Sequence, residues 1–489
     1  PEDILCITFT EKAKKEMFDA IYEKAQEKFS DADIMKINIH TFHSFAYNYL
    51  LDAGLISGDI VGNNLMRFSI LNSFEKNQAL NYGKDYIINT IVPKTENSIR
   101  YIKSFGITPD KIDIKKATST LEEIFDAKSS RYSLEELKSF LKYFIDAYKE
   151  YEKSKQEAID YSDMLLMFKE KFKGDKFQHV LVDEMQDMNE IEADIATMVA
   201  KNLFLVGDAK QAIFGFQGGS VKNFQKFMKT CDKKMLSTNR RSSQQILDYS
   251  KQHFLKGTSS REDYEKELSV FKGLKTGEIP KVFSTSAHLS KILEVIGENP
   301  EKSIGIITRT NTQIIKISKF LDSNSIEYKS TASQASTEQA KNEIQSFIRG
   351  LLSEKIEDKI SATFTIFAPY SLKEAFEFSR AFKKKEFEKL SKIKSWGLKL
   401  QREDLDQMFT DLILPMCISK GAEWFSAAIT AKQEIDEYLT FETPTLDGLF
   451  DFIAIGQESR MEQRNDSRIT LTTVHKAKGL GFDVVVYIP

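Results

Sequence analysis

The stretch His179-Val180-Leu181-Val182-Asp183-Glu184-Met185-Gln186-Asp187 decides how this chain is read. About one helix later comes Leu203-Phe204-Leu205-Val206-Gly207-Asp208-Ala209-Lys210-Gln211. Each is a short run of apolar β-formers that ends abruptly in acidic residues. A buried parallel strand has this pattern when it delivers carboxylates to the carboxyl edge of a sheet. In open α/β sheets, ligands bind at that edge. A hard cation takes oxygen ligands, so a strand-end carboxylate pair suits Mg²⁺ and a nucleoside triphosphate. In such a site Asp183 holds the metal directly or through water, and Glu184 orients and deprotonates the attacking water. A strand ending in Asp-Glu is common by itself, and an ordinary sheet edge is the plain alternative.

Size and composition set the frame. A chain of 489 residues argues for several domains, about three by length alone. With 41% hydrophobic and 29% charged residues it has the balance of a globular protein with ample core. The net charge of -3 carries no global basic signal, so nucleic acid must meet a local stripe or groove. Cys6, Cys231 and Cys417 are far apart and lack metal-ligand spacing; they read as reduced core thiols in a cytoplasmic protein. No apolar run approaches the ~20 residues of a membrane span, and no signal peptide is visible, so no membrane partner is expected. Ile4-Leu5-Cys6-Ile7-Thr8 is strand-like almost at once, and the chain ends within the strand-like Asp483-Val484-Val485-Val486-Tyr487-Ile488-Pro489. Both ends read as cut within core elements, as in a fragment of a longer chain.

Working outward, Gly207-Asp208 repeats the strand-to-acid edge, and Gln211 closes that stretch. Ile213-Phe214-Gly215-Phe216-Gln217-Gly218-Gly219 and Leu236-Ser237-Thr238-Asn239-Arg240-Arg241-Ser242 follow. In order and spacing these segments resemble motifs two, three and four of the UvrD/Rep/PcrA family of superfamily-one DNA helicases, whose wider group includes the RecB and AddA motors. Thr8-Phe9-Thr10-Glu11-Lys12-Ala13-Lys14-Lys15-Glu16-Met17 resembles motif Ia, with Thr10 a helix N-cap and Glu11 where many members carry Asn. Thr41-Phe42-His43-Ser44-Phe45 resembles motif Ib, whose hydroxyls and imidazole can bond phosphate oxygens without reading sequence. Ile159-Asp160-Tyr161-Ser162-Asp163-Met164-Leu165 resembles the segment that returns the chain to the motor core. Thr472-Thr473-Val474-His475-Lys476-Ala477-Lys478-Gly479-Leu480-Gly481-Phe482 resembles motif five, with Gly481 in place of the Glu that contacts the nucleotide sugar.

The resemblance implies an α/β fold of two RecA-like parallel-sheet motor domains, each with a mainly helical insertion. The first motor domain is expected at 1–54, N-terminally truncated, and 156–235, around an insertion at 55–155. There, stretches such as Ser133-Leu134-Glu135-Glu136-Leu137-Lys138-Ser139-Phe140-Leu141 have helical spacing of apolar residues. The second is expected at 236–344 and 463–489, C-terminally truncated, around an insertion at 345–462. That insertion carries the basic run Lys383, Lys384, Lys385, Lys389, Lys392, Lys394 and Lys399. The run reads as a solvated helix face or as a surface that follows duplex phosphates.

The family hydrolyses ATP with Mg²⁺ and steps 3′ to 5′ along single-stranded DNA. Carried over residue by residue, Asp183 and Glu184 take the metal and the attacking water, and Gln211 senses the γ-phosphate. Arg241 reaches the γ-phosphate from the second domain, a contribution of about 10³–10⁵ in rate in related chemistry. Arg240 stands where Tyr normally stacks on adenine, and its planar guanidinium can stack instead. Gly479 joins the nucleotide-binding set. Phe9, Thr10, Thr41, His43, His475 and Lys478 fall on DNA-contacting positions. Phe214 and Phe216 are the expected base-stacking pair, at ~1–3 kcal/mol per base. Core packing is the alternative for this pair, but the surrounding glycines make a poor core element and a good exposed loop. Gln217 replaces a common Arg. Partners implied are single-stranded DNA, single/double-strand junctions, and repair or recombination proteins. No Gly-x-x-x-x-Gly-Lys-Ser/Thr phosphate loop occurs in the 489 residues, nor does the arginine-bearing motif six. The chain as given is therefore expected to bind ATP poorly and hydrolyse almost none. Two rivals stay open: a degenerate, non-catalytic DNA-binding subunit, and the motor part of a helicase-nuclease.

Overall fold

A computed structural model describes residues 2–489 apart from 58–59, 61–62, 128–129, 131, 157, 213–220, 259–260, 331–333, 395–397, 441–442 and 454–466. The chain divides into two compact units, Pro1–Asp232 with Ser371–Lys373, and Lys233–Tyr370 with Glu374–Pro489.

In the first unit, β1 (Ile4–Thr8), β2 (Asn38–Thr41), β3 (Phe177–Val182) and β4 (Ala200–Leu205) form one sheet in the order β2-β1-β3-β4. Every pairing is parallel, with Cys6 opposite both Ile39 and Leu181, and Val182 opposite both Ile7 and Leu205. The central strand β1 is covered on both faces and is a nearly continuous apolar run, whereas the edge strand β4 leaves Phe204 exposed. Leu5, Ile7, Val180 and Val182 are buried against Phe42, Ala46 and Leu50 of the helix Phe42–Asp52 and Ile195, Ala196 and Val199 of the helix Glu190–Val199. The parallel register brings residues 9–10, 41–43 and 183–184 to one carboxyl edge.

Residues 63–155 are mainly helical. The helices Asn63–Lys76, Val92–Lys103 and Leu134–Lys155 bury Ile70, Phe74, Ile99, Phe144 and Tyr148. A capping box between Ser133 and Glu136 starts the last of them. Where these helices meet the helix Tyr161–Lys171, carboxylate oxygens of Glu152, Asp160 and Asp163 lie within 4.8 Å of one another. Two ammonium groups satisfy them. Lys103 Nζ, on a side chain only 2% exposed, lies 2.8 Å from Glu152, 2.7 Å from Asp160 and 2.6 Å from Asp163. Lys155 pairs with Glu152 at 2.6 Å and also with Asp163, and the Tyr151 hydroxyl donates to Asp160 at 2.8 Å. Burial alone would raise the Asp160 carboxyl, but the charges of Lys103 and Lys155 outweigh it and pull the carboxyl down to about 2. A depressed carboxyl stabilises the fold fully above its unfolded pKa of ~3.9, and that stability disappears as pH falls toward the folded value. Urea titrations between pH 5 and 2 are therefore expected to show a falling midpoint, with a shallower fall in Asp160→Asn; equal slopes would remove Asp160 from this role.

In the second unit β5 (Thr238–Ser243) and β6 (Lys272–Lys275) form a parallel pair. β7 (Ile304–Thr308), β8 (Lys329–Ser330), β9 (Ile469–Thr473) and β10 (Val484–Ile488) form a parallel sheet in the order β10-β7-β9-β8. Ile304, Ile306, Ile469 and Leu471 pack with Ile314, Ile317 and Leu321 of the helix Asn311–Ser323. The apolar-rich Ile326-Glu327-Tyr328 has the pattern of a strand start, but β8 begins at Lys329. The helix ends in a Schellman turn that uses those residues: Ser325 takes φ 56°, and the Ile326 N–H donates to the Leu321 carbonyl at 3.0 Å. The remaining helices of this unit include Gln334–Leu352 and Ala422–Tyr438. Lys383, Lys384, Lys385, Lys389, Lys392, Lys394 and Lys399 are all exposed, and Lys389 pairs with Glu386 at 2.6 Å. Among the described residues, no helix is long and apolar enough to cross a membrane.

Candidate functional site

The two acid-tipped strands of the first unit end in one hydrogen-bonded edge. The ladders run on past the strands: the Asp183 N–H donates to Ile7 O at 3.2 Å, the Val206 N–H to Val182 O at 2.9 Å, and the Met185 N–H to Val206 O at 2.8 Å. Between them Glu184 sits at φ 53°, ψ 39°, the left-handed region. A non-glycine residue held there carries about 1–3 kcal/mol of strain, which the surrounding ladder must over-determine. The sharp turn leaves Asp183 exposed and Glu184 half-buried, and Asp183 Oδ1 accepts the Glu184 N–H at 2.9 Å.

Met185–Asp187 form a single 3-10 turn that buries Gln186 to 1% exposure. The Gln186 side chain joins the two strand ends: its Nε2 donates to Glu184 Oε2, and its Oε1 accepts the Asp208 N–H at 2.9 Å. Asp208 then caps the turn Ala209–Gln211, accepting the Lys210 N–H at 3.0 Å and Gln211 Nε2 at 3.2 Å. The Lys210 ammonium lies 3.0 Å from the same carboxylate. Gly207 is required by close approach, because a Cβ there would run into Gln186 Oε1 and Met185 Cγ. An exposed aspartate beside a half-buried glutamate is an oxygen-only donor set that fits Mg²⁺.

The candidate DNA contacts of this unit share the sheet edge. Phe9 is half-buried, its ring edge-on to Phe42 at 5.9 Å. Thr10 is exposed and caps the helix Glu11–Ala25, accepting the Ala13 N–H at 3.1 Å. Thr41 forms a capping box with Ser44, donating its hydroxyl to Ser44 Oγ at 3.1 Å and accepting the Ser44 N–H at 3.1 Å. His43 is half-buried beside the exposed Tyr161, ring centroids 5.9 Å apart. Burial lowers its pKa below the ordinary histidine value, which favours the neutral imidazole over the cation. Phe214, Phe216 and Gln217 lie outside the described residues.

In the second unit, Asn239 shapes the strand that carries the arginines. Its carboxamide oxygen accepts the N–H groups of Arg241 at 2.9 Å and Ser242 at 2.8 Å, and Arg240 and Arg241 are left exposed. β9 is buried along its whole length and runs into the short helix Val474–Ala477. His475 on that turn is exposed, Lys478 is half-buried, and Gly479 takes φ 81°, which side-chain-bearing residues rarely adopt. Thus Asp183, Glu184, Gln211, Phe9, Thr10, Thr41 and His43 lie in the first unit, and Arg240, Arg241, His475, Lys478 and Gly479 in the second.

Two features escaped the sequence reading. The linking role of Gln186 depends on β4 lying beside β3. The signal for Lys103 was present, because it follows Thr95 and Ile99 at four-residue spacing on one buried helix face. A lysine on such a face needs carboxylate partners.

Residues 1–232 match the UvrD/REP helicase N-terminal domain, and residues 423–489 match the UvrD-like helicase C-terminal domain. These matches cover more than half of the chain, which belongs to the UvrD-like DNA helicase family. Among its relatives is a probable DNA helicase II homolog of Mycoplasma pneumoniae, 25% identical in an alignment that covers 99% of this chain and 71% of that protein. A counterpart in Mycoplasma genitalium is 25% identical, covering 99% of this chain and 72% of its own. The ATP-dependent DNA helicase PcrA of Leuconostoc citreum is 27% identical over 51% of this chain and 32% of its own length.

Proposed function

We propose that this chain belongs to the motor of an ATP-dependent DNA helicase, a machine that hydrolyses ATP with Mg²⁺, moves 3′ to 5′ on single-stranded DNA and unwinds duplex ahead of it. Support comes above all from the hydrogen-bonded edge that joins Glu184, through Gln186 and Asp208, to Gln211. In this reading Asp183 holds the metal and Glu184 takes a proton from the attacking water. Gln211, Arg240, Arg241 and Gly479 contact the nucleotide. Bound Mg²⁺ supplies charge neutralisation on the β- and γ-phosphate oxygens. Phe9, Thr10, Thr41, His43, Phe214, Phe216, His475 and Lys478 line the path of unpaired DNA. The motor domains are assigned to 1–54 with 156–235 and to 236–344 with 463–489, and the insertions to 55–155 and 345–462.

The test is unwinding by the complete protein on partial duplexes with either a 3′ or a 5′ single-stranded tail. Unwinding from the 3′ tail alone is expected, and unwinding from neither, with DNA still bound, would favour the non-catalytic subunit that the Gly481, Gln217 and Arg240 departures allow. Loss of base stacking is worth about 1–3 kcal/mol per base, so Phe216→Ala is expected to lower DNA-stimulated ATPase more than basal ATPase. Equal losses in the two rates would mean that Phe216 packs in the core.

A further inference from the structure

We infer that Gln186 is a positioning residue that ties the hydrolytic base to the nucleotide-sensing turn. The inference rests on the helicase reading above and adds a component to it. Gln186 is 1% exposed, and both ends of its carboxamide meet groups that can act in one sense only. The Glu184 carboxylate only accepts and the Asp208 backbone N–H only donates, so Nε2 must face Glu184 and Oε1 must face Asp208. The carboxamide cannot flip without losing both bonds inside a buried site, where an unmade hydrogen bond is expensive.

Each end of this bridge reaches a moving part of the proposed cycle. At one end the bond fixes the rotamer of Glu184, whose backbone is already held in the left-handed region. At the other it fixes the N–H of the residue whose carboxylate holds both the Lys210 N–H and the Gln211 side chain. A shift of the Gln211 turn therefore pulls on the rotamer of the base through one rigid amide. Gly207 keeps the bridge short, since any side chain there would push against Gln186 Oε1.

Gln186→Met keeps the length and removes both bonds, and Gln186→Glu keeps the acceptor for Asp208 while replacing the donor to Glu184 with a carboxylate oxygen. In the complete protein, steady-state ATPase with single-stranded DNA is measured alongside the affinity for a non-hydrolysable ATP analogue. The expected result is a fall in kcat of about tenfold or more in Gln186→Met, with KM and analogue affinity changed by less than about threefold. Paired with Gln211→Ala, Gln186→Met should add little further loss, because members of one network are not additive. Wild-type kcat in Gln186→Met, or losses that multiply in the pair, would overturn the inference. If Gln186→Met fails to bind the analogue, Gln186→Glu decides: bound analogue with slowed turnover supports the bridge, and wild-type turnover refutes it. A wild-type protein without DNA-stimulated hydrolysis would instead sink the helicase reading itself.

Discussion

In the complete protein, Glu184→Gln is expected to cut ATP turnover by about 10³-fold or more while ATP and single-stranded DNA still bind. The substitution keeps the shape and removes only the basicity. The amide oxygen that replaces Oε2 can still accept from Gln186, so the bridge to Asp208 need not break. The left-handed backbone of Glu184 is set by the flanking ladder bonds of Asp183 and Met185, which involve no side chain. Analogue binding and DNA binding measured beside the ATPase rate separate lost chemistry from lost structure. Hydrolysis at the wild-type rate would remove Glu184 from its role.

The largest effect on stability is expected at Lys103. Lys103→Met leaves the carboxylates of Glu152, Asp160 and Asp163 around a buried apolar side chain, with Lys155 the remaining cation among the ion pairs described there. Breaking a buried pair from one side costs about 3–5 kcal/mol, because the charge left behind stays out of water. Burial alone would discharge Lys103, but Asp160 and Asp163 hold its ammonium well above the ordinary lysine range. Lys76 makes a comparison, since it pairs with Glu150 at 2.6 Å while 55% exposed. An exposed pair of that kind is worth about 1 kcal/mol or less. Urea unfolding of Lys103→Met and Lys76→Met side by side should show the first far more destabilised, and similar losses would mean that the network is dispensable.

Much of the fold can be read locally. A parallel strand covered on both faces has to be apolar throughout, so Ile4-Leu5-Cys6-Ile7 and Val180-Leu181-Val182 announce themselves, and the acids after Val182 mark where the sheet ends. Helix starts are equally legible, because Thr10, Thr41, Ser133 and Asp160 are short polar residues that cap the backbone following them. What stays hidden depends on neighbours distant in sequence. Gln186 and Asp208 are 22 residues apart and meet only because β3 and β4 pair. Lys103 lies 57 residues from Asp160. His43 carries no sequence mark of its lowered pKa, which comes from burial. The late start of β8 is set by a helix-ending turn whose left-handed residue is Ser325 instead of the usual glycine.

The most direct test of the central claim, that the carboxylate edge at Asp183 and Glu184 drives a DNA-coupled motor, is the ATPase rate of the complete protein with and without single-stranded DNA. With Mg²⁺ present, hydrolysis is expected to rise about tenfold or more on adding DNA, and to fall to background in Asp183→Ala. A rate indifferent to DNA, or one that survives Asp183→Ala unchanged, would contradict it.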